Sequence, residues 1–158
     1  MATIAEINIT SDITDSISFS ISETMTMTKA DGNIDLEQTT GLAQRTYSGS
    51  TDQVDLITIA NENITVNGAN KVYIRNTGTD KTKHFKITLG QAGGNSPNDT
   101  EEIGRLYGGD WMLFPYDAYP LDADDTDGTT VGHANNVDIC VAPSSTDKMT
   151  LEYAVFHQ

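Results

Sequence analysis

The most regular pattern in the chain is an alternation near its start. Ile17, Phe19 and Ile21 are separated by Ser16, Ser18, Ser20 and Ser22, and after Glu23 the same phase resumes with Met25 and Met27 among Thr24, Thr26 and Thr28. A period of two over this length predicts a strand with one buried face and one hydroxyl-rich face, either continuous or broken by a bulge. Ile4, Ile7 and Ile9 precede it as a short strand-like run. Residues 29–33, with Asp31-Gly32 at the tip, read as a turn. Further strands are predicted over residues 42–47, 54–60 and 64–66, with a loop at 48–52 and a turn at Asn67-Gly68.

From Lys71 onward the pattern predicts hairpins. KVYIRN, from Lys71, pairs with HFKITLG, from His84, across Thr77-Gly78-Thr79-Asp80. The stretch IGRLYGGDWMLFPYDAY, residues 103–119, holds the only Trp and five of the eleven aromatic residues. Its Gly108-Gly109-Asp110 reads as the turn between two strands of a hairpin. Large rings on both sides make this stretch a seed for the core. VDICVAP and MTLEYAVF close the chain as a last hairpin joined by residues 144–147, while residues 91–102 and 117–136 read as polar loops. No segment of ten or more residues carries a capped helical period. Short strands punctuated by turn residues predict an all-β fold, an antiparallel β-sandwich or jelly-roll-like barrel. One domain over residues 1–158 is the expectation, with 1–15 available as an extended arm; a two-domain alternative would divide near residues 48–52.

Composition narrows the function classes. A net charge of −14 over 158 residues disfavours nonspecific binding to nucleic acid or anionic lipid. Lys71, Arg75, Lys81, Lys83 and Lys86 concentrate five of the nine cationic residues, and on alternating strands they read as a solvated face. The N-terminus has no basic leader followed by an apolar run, and no segment reaches the length of a membrane span. Synthesis in a cytoplasm without secretion is the expectation. Cys140, the only cysteine, has apolar neighbours in VDICVAP and reads as a buried structural thiol.

Candidate chemistry is sparse. Asp122, Asp124, Asp125 and Asp127 offer four carboxylates in six residues, but Thr126 and Asp127 break the calcium-loop pattern, so a solvated acidic loop is expected. His84, His133 and His157 lack metal-ligand spacing. No nucleophile elbow, phosphate loop or zinc-protease motif is present. No catalytic, cofactor-binding or metal residue is therefore assigned, and the chain is expected not to be an enzyme. Tyr107, Trp111, Tyr116 and Tyr119 form a candidate sugar-stacking platform, weighed against core and subunit-interface packing.

KVYIRNTG, the KITLG strand, IGRLYGGDWMLFPY and the closing EYAVFHQ together resemble small virion structural proteins of tailed bacteriophages, those of marine and cyanobacterial phages above all. The resemblance covers about residues 71–158 and rests on structural motifs. It implies an all-β homo-oligomer, often a trimer, that decorates a capsid by binding the major capsid protein or builds tail, neck and fibre parts. A capsid decoration (cement) protein located in the virion is the first expectation. A glycan-binding β-sandwich module is the alternative from another class. The segment before Ser16 and the loop over residues 117–136 are the expected docking elements.

Overall fold

The computed structural model describes residues 4–11, 19–27, 38–58, 70–90, 100–116 and 138–157. Eleven strands lie within them: β1 (Ile4–Ser11), β2 (Phe19–Thr26), β3 (Gln38–Thr39), β4 (Ala43–Tyr47), β5 (Val54–Ile57), β6 (Asn70–Asn76), β7 (His84–Gly90), β8 (Thr100–Tyr107), β9 (Trp111–Tyr116), β10 (Asp138–Pro143) and β11 (Met149–His157). The turn at 29–33, the strand at 64–66, Asn67-Gly68, and the loop at 117–136 fall outside the described residues.

Two antiparallel sheets face one another. The first runs β4-β11-β6-β9, with β3 continuing the β4 edge along β11; the second runs β5-β10-β7-β8. The strand partners nest: β4 with β11, β5 with β10, β6 with β9, and β7 with β8. An antiparallel ribbon of four such pairs, rolled so that β6 also meets β11 and β7 also meets β10, is the jelly-roll arrangement of a β-sandwich. The all-β sandwich expected from the sequence is the observed fold. Residues 48–53 link β4 in one sheet to β5 in the other.

Period-2 patterning places the core between the sheets. Val72 and Ile74 of β6 with Leu151 and Val155 of β11 meet Phe85 and Ile87 of β7 and Ile139 and Val141 of β10; all eight are fully buried. The Phe85 and Tyr47 rings pack edge-to-face, with centroids 5.5 Å apart and planes inclined at 62°. Consecutive Leu56 and Ile57 are both buried because β5 shifts register against β10 at that point. A second shift, between Ile87 and Thr88, puts the extra residue Ile103 into β8. The edge strand also carries an additional residue between Thr39 and Ala43. Gly41 there has φ 76°, and Thr40 both donates its N–H to the Val155 carbonyl and accepts the Val155 N–H on its hydroxyl.

Three expected hairpins are corrected. β6 and β7, β8 and β9, and β10 and β11 do not pair with each other; each connection steps from one sheet to the other. At Tyr107–Asp110 the turn closes with the Asp110 N–H donating to the Tyr107 carbonyl, while Gly109, at φ 88°, donates to the Asn76 carbonyl. That second bond ties the turn to the end of β6 in the first sheet, which directs Trp111 onto β6 instead of back onto β8. The polar loop expected over 91–102 also ends earlier, since β8 starts at Thr100.

β1 and β2 form a separate two-stranded sheet in register from Ile4↔Thr26 to Ser11↔Phe19. The sequence pattern predicts a buried apolar face here. Ile9, Ile21 and Met25 are instead 47%, 43% and 42% exposed, while Met27, one residue beyond β2, is buried as expected at 3%.

Candidate functional site

Two exposed surfaces stand out. The first is the hairpin. Directly opposed residues of an antiparallel pair share a face, so Ala5 with Met25, Ile7 with Glu23, and Ile9 with Ile21 line one side. The other side carries Thr24, Ser22 and Ser20 opposite Glu6, Asn8 and Thr10, with exposed Ile4 at its end and the Ser22 hydroxyl donating to the Asn8 side-chain oxygen at 2.7 Å. The hairpin is amphipathic, and among the described residues its strands pair only with each other.

The second surface is the outer face of the first sheet. Register sets Gln44, Glu152, Arg75 and Trp111 side by side on β4, β11, β6 and β9. Trp111 is 51% exposed, and the Tyr73 ring lies 6.5 Å from its own at 37°. The Tyr73 hydroxyl donates to Glu152 Oε1 at 3.0 Å, and Arg75 Nη1 reaches the same oxygen at 3.4 Å. Burial, then the hydrogen bond to Glu152, raises the Tyr73 pKa. Leu113 lies beside Tyr73 in the next row, and Lys71 lies between Phe156 and Pro115 in the one after.

The aromatic residues singled out by the sequence are not brought together. Tyr116 is in the core, Tyr107 packs against His84 at 4.9 Å, and Tyr119 lies outside the described residues. Only Trp111 is on the outer face, and its neighbour is Tyr73. The alternation of KVYIRN carried that signal: it sets Lys71, Tyr73 and Arg75 on the face opposite Val72 and Ile74.

The five clustered cations do not form one patch. Lys71 and Arg75 lie on the outer face of the first sheet, Lys86 on β7, and Lys81 donates to the Gly108 carbonyl. Lys83 pairs with Asp147 at 2.8 Å and Asp80 at 3.4 Å. These pairs clamp the β6–β7 turn to the β10–β11 turn. Hydrogen bonds from Lys83 and then Ser145 hold the Asp147 carboxyl below its ordinary value, those from Thr82 lower Asp80, and both carboxylates raise Lys83. An open cleft of about 340 Å³ lies here, lined by Asn76, Gly78, Asp80, Lys83, Lys148 and others. Its Gly78 N–H already donates to the Asn76 side chain.

Cys140 is buried, as expected. Its thiol donates to Asp55 Oδ1 (3.4 Å) and the Gly90 carbonyl (3.5 Å). His84 is half-buried on β7 and His157 is buried at the end of β11; His133 and the Asp122, Asp124, Asp125, Asp127 run fall outside the described residues. Among the described residues no three His, Cys, Asp or Glu side chains gather as a metal site, and no helix is long and apolar enough to cross a membrane.

No protein-family model and no curated protein matches the sequence. Among solved structures, Drosophila melanogaster CENP-C bound to CAL1 aligns over 92% of this chain and 74% of that one, at 9% identity and a TM-score of 0.36. That likeness is too slight to bear on fold or function.

Proposed function

We propose that the protein is a non-enzymatic structural component of a tailed-bacteriophage virion, a capsid decoration protein that bridges and stabilises subunits of the major capsid protein. The β1–β2 hairpin is the observation that carries this reading. A lone two-stranded sheet is marginal in water, so one that shows Ile7, Ile9, Ile21 and Met25 on a single face gains stability by docking. A jelly-roll body with an amphipathic element outside its two sheets suits a protein that seats on a shell, and repeated seating around a shell multiplies weak contacts. The charge of −14 keeps decorated particles apart in solution. The resemblance over residues 71–158 supplies the phage context and implies a homo-oligomer, the trimer being its usual form. Jelly rolls serve viral capsids and lectins alike, so the fold by itself does not choose between them.

Quantitative mass spectrometry on purified particles of the encoding phage tests the reading. Hundreds of copies per particle are expected. A few to a few dozen would move the protein to the neck, tail or fibres, and none would overturn the virion assignment.

A further inference from the structure

We propose that the outer face of the first sheet is a saccharide-binding site in which Trp111 stacks on a sugar ring and Glu152, Arg75 and Gln44 take its hydroxyls. The proposal stands on side chains separate from the hairpin and holds whether or not the chain is a virion component.

Sugars present two chemistries at once: a C–H face that packs on an aromatic ring, and hydroxyls that both donate and accept. The row on β4, β11, β6 and β9 offers both in sequence. At one end is the half-exposed indole of Trp111, backed by Tyr73. Next come Arg75, which only donates, Glu152, which only accepts, and Gln44, which does both. Strand spacing sets these groups about 4.8 Å apart, so the row is a straight track about 14 Å long. Glu152 is the fixed point. Only 11% of its side chain is exposed, and Tyr73 and Arg75 both bond to Oε1, which leaves Oε2 for a ligand hydroxyl.

The charge balance selects the ligand class. Arg75 and Glu152 offset one another within the row, so the track favours neutral chains over anionic ones, which the net charge of −14 would also repel. A protein partner fits less well. Within the row only Trp111 is apolar and charged or amide groups occupy the rest, unlike the apolar centre of a subunit interface; Tyr73, Leu113, Phe156 and Pro115 lie in the rows beside it.

Affinity electrophoresis of the full chain in gels containing dextran, laminarin, glucomannan or hydroxyethyl cellulose tests the site. Retardation by at least one of the four is expected. Trp111→Ala should weaken it about tenfold or more, the scale of a lost stacking contact. Glu152→Gln, which keeps the shape and one acceptor oxygen, should weaken it less while leaving the Trp111 fluorescence change on binding intact. Trp111→Phe retains a stacking surface and should recover much of the binding lost in the alanine variant. Mobility unchanged in all four gels, or retardation untouched by Trp111→Ala in a protein that remains folded by circular dichroism, would overturn the proposal. So would a blue shift of Trp111 emission with protein concentration alone, because the face would then be covered by a second copy.

Discussion

Tyr47 has an unusual position for a tyrosine. Its ring packs edge-on against Phe85 in the core, and its hydroxyl is buried without a hydrogen-bond partner. Burial pushes its pKa up to about 12 from an ordinary 10.0, and nearby Arg45 only partly opposes the shift. A raised folded-state pKa contributes stability that is complete below pH 10 and disappears as the pH climbs towards 12. Tyr47→Phe should remove that alkaline loss. It should also raise stability at neutral pH by about 1 kcal/mol, since an unsatisfied buried hydroxyl disappears; urea unfolding at pH 7 and pH 11 checks both. Glycines offer a second contrast. A Cβ on Gly108 would sit 2.6 Å from the Asp80 backbone oxygen, so Gly108→Ala should cost about 1–3 kcal/mol. Gly104 has open space and an ordinary backbone, and Gly104→Ala should gain about 0.5 kcal/mol through the unfolded chain.

At the scale of elements, strands were legible and their partners were not. The alternations in KVYIRN and HFKITLG, and the turn residues between them, mark β6 and β7 to within a residue. Nothing in those residues says whether a short turn folds a strand back on its neighbour or carries it across the core. That choice is made by bonds from distant segments, such as the Gly109 N–H to the Asn76 carbonyl and the Ser144 N–H to the His84 carbonyl. The outer-face row is hidden for the same reason: Gln44, Glu152, Arg75 and Trp111 become neighbours only once β4, β11, β6 and β9 are in register. The alternation around β2 marked the strand and the burial of Met27 but misplaced that of Ile21 and Met25, because a period of two identifies an apolar face but not what covers it. Turn chemistry also makes a testable clamp. Asp147, held below its ordinary 3.8 by Lys83, contributes stability above that value which is lost as pH falls through its lowered one. Asp147→Asn should therefore show a shallower fall in unfolding midpoint between pH 5 and about pH 2, with the largest difference from the parent at neutral pH and low salt.

At the scale of the molecule, the hairpin and the jelly roll should behave as separable parts. Deleting residues 1–26 should leave the cooperative unfolding of the sandwich in place, because β1 and β2 share no sheet with it, and, under the virion role proposed above, should abolish binding to particles; a melting curve and a pelleting assay report the two. The nested pairing has a consequence for how the protein is made. Strand β7 meets β8 early, but each outer pair must close a longer loop, up to β4 with β11. The first sheet is therefore assembled around β11, which follows β3, β4 and β6 in the chain and holds them together. Until β11 has emerged from the ribosome, those three strands wait with an edge open and the hairpin already complete. Closure of the first sheet thus waits for β11, and folding is slow for a domain of this size, as expected where most contacts span long sequence separations.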